Sequence, residues 1–161
     1  MAGKENPFPQ SKEQLLQAYR TMRTIREFEE RLHIDFARGD IPGFVHLYAG
    51  EEAAGTGIMM HLGDGDRIAS THRGHGHCIA KGVDVISMMK EIYGKKGGAC
   101  EGKGGSMHIA DLDKGMMGAN GILGAGAPLA IDLEQIDHDG LEGERANGCA
   151  RDTAADHGTF L

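Results

Sequence analysis

Eleven of the chain's 26 glycines fall between Gly94 and Gly126, and that stretch limits the fold more than any other part of the 161 residues. Glycine loses more backbone freedom on folding than other residues, so regular helix or strand is disfavoured where it is dense. These glycines follow no three-residue collagen period and carry no Ser/Pro repetition that would mark a plain linker. Hydrophobic periodicity vanishes from Lys95 to Gly126, leaving a loop of about 30 residues, a length that in a compact domain signals binding or disorder. Met107, His108, Ile109, Ile122 and Leu123 put apolar and basic groups among the glycines, which favours a binding loop.

Upstream, the periodicity is strong. Ser11 with Gln14 three residues later forms a capping box, and Leu15, Tyr19, Met22, Ile25, Phe28, Leu32 and Phe36 follow at three- and four-residue steps until Gly39. This predicts a long amphipathic helix whose apolar stripe packs into a core. After a turn at Pro42-Gly43, a short helix is expected from Glu51 to His61, ending near Gly63. Asp64-Gly65-Asp66 is a tight connection, and Arg67-Ile68-Ala69-Ser70 reads as a short buried strand. Two more helices are expected, near His77–Lys81 closed by Gly82 and over Val85–Tyr93 closed by Gly94. Residues 1–10, with Pro7 and Pro9, read as a mobile or loosely docked tail.

A chain of this length with 40% hydrophobic residues holds one domain at most. Its formal charge of −7, with no basic stripe, excludes a nucleic-acid surface, which needs clustered Lys and Arg to neutralise phosphates. The longest apolar runs, such as Gly57-Ile58-Met59-Met60, fall far short of the roughly 20 residues of a membrane-spanning helix. The start from Met1 to Pro7 lacks the apolar core and cleavage pattern of a signal peptide. Cys78, Cys100 and Cys149 are odd in number and widely spaced, as in a reducing compartment, so the cytoplasm is the expected location.

The strand ending at Ser70 runs into Thr71-His72-Arg73-Gly74-His75-Gly76-His77, and α/β proteins place ligands outside the carboxyl ends of their strands. Three imidazoles and a guanidinium suit an anion. The Arg fork matches diphosphate oxygens, His adds a donor or moves a proton near neutral pH, and glycine admits close approach. Two other readings stand beside this one. In the first, His75 and His77 share one side of an extended strand as metal ligands, in a hydrolase built on His72, His75 and His77. In the second, the histidines are simply hydrogen-bonded polar groups. Further on, Gly102-Lys103-Gly104-Gly105-Ser106-Met107-His108 resembles a phosphate-cradling loop without the Walker order. The alternating glycines of Gly118–Gly126 free backbone groups to hold a flat heterocycle, or else form a tight turn before a helix.

Four ordered blocks, Gly43–Ala53, Ser70–Gly82, Gly102–Ala110 and Gly118–Ala130, together resemble the alpha subunit of thiamine-diphosphate-dependent dehydrogenases, over residues 12–130. Ser70–Gly82 and Gly105–Asp111 are most similar to the acetoin-cleaving branch of that family. The resemblance implies an α/β thiamine-diphosphate-binding fold, a parallel sheet flanked by helices, incomplete at the C-terminal side. In that scheme residues 11–130 are the N-terminal part of the dehydrogenase domain and 131–161 a divergent or disrupted segment. The implied cofactors are thiamine diphosphate and Mg2+. The implied reaction cleaves acetoin, or decarboxylates a 2-oxo acid such as pyruvate, and passes the acyl fragment to a lipoyl acyltransferase. A beta subunit would complete the site in an α2β2 assembly and supply the acid that activates the pyrimidine.

Carried over position by position, the family pattern puts a substrate-side histidine at His46 and diphosphate contacts at His72 and Arg73. It puts backbone contacts to the aminopyrimidine ring at Gly121 and Leu123, and it makes His75 and His108 donors or proton carriers to bound intermediates. After Ala130 the family pattern requires a small-residue helix, a hydrophobic strand, and Gly-Asp-Gly with a downstream Asn to hold magnesium. This chain instead reads Ile131-Asp132-Leu133-Glu134-Gln135-Ile136-Asp137-His138-Asp139, then stays polar from Glu142 to Asp156. A buried parallel strand does not tolerate that composition. Asp152 aligns with the metal aspartate and is chemically admissible for magnesium, while Arg151 and Thr153 replace both glycines. Two classes follow: a working alpha-type subunit completed by a beta chain, or a truncated or frame-disrupted fragment that only associates with partner subunits.

Overall fold

The computed structural model describes residues 10–128. Residues 1–9 and 129–161 lie outside the described residues, and with them fall the expected tail, the divergent segment 131–161 and Asp152. The described elements, in chain order, are α1 (Lys12–Ala37), α2 (Glu52–Met59), β1 (Ile68–Ser70), α3 (His75–Lys81), α4 (Val85–Ile92) and β2 (Met116–Ala119). Two short 3-10 turns, Gly105–Met107 and Leu112–Lys114, precede β2.

The capping box of α1 forms in both directions. Ser11 N–H donates to Gln14 Oε1 at 2.8 Å, and Gln14 N–H donates to Ser11 Oγ at 3.2 Å, satisfying two of the helix's unpaired donors. The helix packs on α2 and α3 with Ala18, Ile25, Phe28 and Leu32 buried. Each of the three large ones contributes about 1.5–3 kcal/mol by leaving water. The expected stripe differs at its ends, since Leu15, Tyr19 and Phe36 are exposed while Glu29 and Asp35 are buried. Positions 25, 28, 29, 32 and 35 share one face at three- and four-residue steps, and each carboxylate there is hydrogen-bonded through one oxygen, Glu29 with His75 and Asp35 with Tyr93 and Arg31.

β1 and β2 pair in parallel, Ile68 with Met116, Ala69 with Gly118 and Ser70 with Ala119, with an irregularity between Ile68 and Ala69. The crossover runs through α3, α4 and the glycine-rich segment, as a parallel connection requires. β2 lies inside the stretch expected to be loop. Four residues containing a glycine leave no readable alternation, and the strand owes its form to its partner β1 rather than to propensity. α3 also starts two residues before its expected start, so His75 and Gly76 are helical. Gly82 at φ 95° and Gly94 at φ 64° follow α3 and α4 as expected, and the Asp84 side chain caps α4 by accepting from Ser87 N–H at 2.7 Å.

One core joins these layers, with Ile25, Phe28 and Leu32 from α1 meeting Ile68, Met88, Ile92, Ile109 and Met116. Tyr48 is buried where α2 meets α3. A Cβ on Gly76 would run into its ring, and one on Gly55 would stand 2.5 Å from its hydroxyl. The architecture is therefore α/β, a small parallel sheet with helices packed around it. Among the described residues no helix is long and apolar enough to cross a membrane.

Candidate functional site

The segments leaving the two strands are joined at their first residue. Asn120 N–H donates to Ser70 C=O at 2.9 Å, and a Cβ on Gly74 would stand 2.8 Å from that of Ala119. Thr71-His72-Arg73-Gly74 and Asn120-Gly121 thus leave the carboxyl ends of adjacent parallel strands side by side, where open α/β sheets hold ligands. Arg73 is half-buried. Its backbone N–H donates to Thr71 Oγ1 at 3.3 Å, and its Nη1 donates to Leu47 C=O at 2.5 Å, which fixes the plane of the guanidinium. The half-buried rings of His46 and His72 meet edge to face with centroids 4.9 Å apart. On the other segment, a Cβ on Gly121 would stand 3.3 Å from Cε1 and 3.4 Å from Nε2 of His108, so the backbone of Gly121 and the imidazole lie close together there. His108 and Leu123 are exposed. The structure therefore joins His46 with His72 and His108 with Gly121, and sets Arg73 and Gly121 on neighbouring strand ends.

His75 stands apart from this group. It is fully buried, its Nδ1 is hydrogen-bonded with Glu29 Oε1 at 2.8 Å, and its Nε2 lies 2.9 Å from Ser106 Oγ and 3.1 Å from Ser106 O. Phe28 packs edge-on against the ring, with centroids 5.9 Å apart. The residue expected as a donor to bound intermediates is here a tie between α1 and the glycine-rich segment. His77 is likewise internal, 2.6 Å through Nδ1 from Ser70 Oγ and 3.0 Å through Nε2 from Tyr48 Oη. This geometry corrects the metal reading. His75 and His77 sit on a helix, where two residues turn through about 200°, so they point to different sides. Among the described residues no group of three His, Cys, Asp or Glu side chains could hold a metal ion.

The likeness to a phosphate cradle has a different outcome. The N–H groups of Gly102, Gly104 and Gly105 point at the protein's own Glu91, together with that of Cys100. Burial pushes the Glu91 carboxyl up, but the four backbone donors together outweigh it and hold it below its ordinary value. At Cys78 burial dominates instead and pushes the thiol far up, with a backbone hydrogen bond offsetting only part of it.

Sequence reasoning missed Glu29, Ser106 and Glu91. Glu29 had a signal, since it occupies the i+4 position from Ile25 on the apolar face of α1 and so had to find a buried partner. Ser106 and Glu91 had none, because their partners are distant in sequence or are backbone amides.

The fold and these loops define a class: an α/β unit with ligand loops at the carboxyl ends of parallel strands. Residues 20–160 match the family described as dehydrogenase E1 component. The chain belongs to that family. The match runs on through the segment that departs from the expected pattern. The chain is 72% identical over 153 residues to subunit alpha of acetoin:2,6-dichlorophenolindophenol oxidoreductase from Cupriavidus necator, covering 95% of this chain and 46% of that protein. The Bacillus subtilis protein of the same name is 64% identical over 120 residues, covering 74% of this chain and 36% of that protein. Pyruvate dehydrogenase E1 component subunit alpha from Rhizobium meliloti is 43% identical over 123 residues, covering 76% and 35%. The chain thus spans less than half the length of these curated relatives.

Proposed function

We propose that this chain is the N-terminal part of an alpha subunit that holds thiamine diphosphate between the loops leaving β1 and β2 and, joined by a beta subunit, acts on acetoin. The observation that carries this is the Ser70–Asn120 junction, which supports His72-Arg73 and Gly121 facing one ligand. The donor set fits the coenzyme: a guanidinium with a fixed plane and an imidazole for the diphosphate, and the glycine backbone at Gly121 for the flat ring. When bound, thiamine diphosphate supplies the carbanion stabilisation needed to break a bond beside a carbonyl. In this reading Arg73 and His72 hold the diphosphate, and Gly121 and Leu123 bond the aminopyrimidine through their backbone. His46, edge-on to His72, faces the substrate, and exposed His108 moves a proton at its imidazole.

His75 is then a positioning residue rather than a proton carrier. Acetoin is favoured over pyruvate because the two relatives named for acetoin are 72% and 64% identical, against 43% for the one named for pyruvate. Magnesium held through Asp152, transfer to a lipoyl acyltransferase core, an α2β2 assembly, a thiamine-diphosphate-binding fold and a cytoplasmic location belong to the same proposal. The competing reading, a fragment that only associates with partners, draws support from Arg151 and Thr153 in place of glycines. Calorimetric titration with thiamine diphosphate and magnesium, with and without a co-expressed beta-type subunit, separates the two. Saturable binding supports the first, and no binding in either condition supports the second.

A further inference from the structure

Glu91, on the last turn of α4, is fully buried and makes no ion pair among the described residues. Its Oε2 accepts from Cys100 N–H at 2.7 Å and Gly102 N–H at 2.8 Å. Its Oε1 accepts from Gly104 N–H at 2.6 Å and Gly105 N–H at 3.2 Å. The glycine-rich backbone is wrapped around this one carboxylate, and the wrapping accounts for several of its glycines. A Cβ on Gly98 would stand 2.5 Å from Glu91 Oε2 and 2.6 Å from its backbone nitrogen. Gly102 has φ +76°, and a Cβ on Gly104 would stand 2.5 Å from the carbonyl oxygen of His108. From Gly105 the chain makes one 3-10 turn and reaches His108, whose ring lies against Gly121.

We propose that Glu91 is a positioning residue of the site: by gathering the N–H groups of residues 100–105 onto its carboxylate it sets the place of His108 beside Gly121. The inference rests on the reading above, in which His108 and Gly121 border one coenzyme. Only a carboxylate serves all four donors. A glutamine at this position keeps one oxygen and turns an NH2 group toward two N–H groups. An aspartate keeps the charge but falls short by one methylene.

The test compares the wild-type 161-residue chain with Glu91→Gln by nuclear magnetic resonance. Glu91→Gln is expected to keep the amide protection of α1 and α3. Exchange of the amides of residues 100, 102, 104 and 105 is expected to be at least tenfold faster, with loss of the Overhauser contact between the His108 ring and the Gly121 α-protons. Thiamine diphosphate with magnesium is expected to bind about tenfold more weakly to the variant, about 1.4 kcal/mol, while inorganic diphosphate binds both proteins alike. Unchanged exchange and an unchanged His108–Gly121 contact overturn the proposal. If Glu91→Gln does not fold, Glu91→Asp takes its place, with faster exchange at two or more of the four amides expected and wild-type exchange at all four overturning it. A wild-type chain that binds no thiamine diphosphate, alone or with a beta-type subunit, sinks the proposed function, while the exchange and contact measurements still decide the role of Glu91.

Discussion

His75 Nε2 lies 2.9 Å from Ser106 Oγ, joining two residues 31 apart in the chain inside a wholly buried contact. With Nδ1 hydrogen-bonded to Glu29 Oε1 at 2.8 Å, the imidazole links α1, α3 and the glycine-rich segment. Removing it leaves the Glu29 carboxylate buried without its partner. His75→Ala should lower unfolding stability by about 2–5 kcal/mol in urea denaturation, through the cavity it leaves and the buried polar groups it unpairs. Adding Glu29→Leu should recover part of that loss, because no unpartnered buried polar group then remains. A cost below about 1 kcal/mol for His75→Ala would contradict the structural role.

Gly76 faces the Tyr48 ring with no room for a Cβ. Gly76→Ala should destabilise by about 1–3 kcal/mol even though alanine favours helix, because an overpacked core moves off its preferred rotamers. Tyr48→Ala in the same chain should make the second substitution nearly neutral. Additive costs, measured by thermal denaturation of all four combinations, would show that Gly76 and Tyr48 do not press on each other.

Asp35 accepts from Tyr93 Oη at 2.6 Å and from Arg31 Nε at 2.7 Å. Tyr93 first, then Arg31, hold its carboxyl below the usual range, and the same contact raises the Tyr93 phenol. A carboxyl depressed in the folded state adds stability above its unfolded value, about 3.9, and loses it as pH falls through the lower folded value. Asp35→Asn should therefore be less stable than wild type at neutral pH, and the gap should close as pH falls below about 4. On the alkaline side the raised phenol favours the folded chain below about pH 10 and loses that effect as pH rises. Phenolate absorbance should accordingly appear at lower pH in Asp35→Asn. A gap that persists unchanged to pH 2 would remove the ionic explanation.

Periodicity was a good guide where the chain makes its own local structure. The capping box at Ser11 and Gln14, the stops at Gly82 and Gly94 and the strand at Ser70 follow from propensity and from glycine's freedom, and all are present. It failed where contacts are distant in sequence. β2 is ordered by pairing with β1, and the helical placement of His75 gave its imidazole to Glu29 rather than to solvent. Of the proposed site, the placement of His72 and Arg73 just beyond β1 was legible because a strand ran straight into them. Glu91 was not, because its partners are backbone amides, which every residue possesses.

Arg73 tests the diphosphate end of the proposed site. Arg73→Ala should weaken thiamine diphosphate binding at least tenfold, about 1.4 kcal/mol or more, in calorimetry with the beta-type subunit present. Arg73→Lys should restore little, because an ammonium lacks the planar fork that Leu47 C=O orients. Full affinity in Arg73→Lys would mean that charge alone is read at this position.

Hydrogen-exchange mass spectrometry on the chain co-expressed with a beta-type subunit, with and without thiamine diphosphate and magnesium, tests the two-loop grip most directly. Peptides spanning residues 71–76 and 118–124 should gain protection together and over the same coenzyme concentrations. Protection confined to one of the two, or absent from both at saturating coenzyme, would contradict the account.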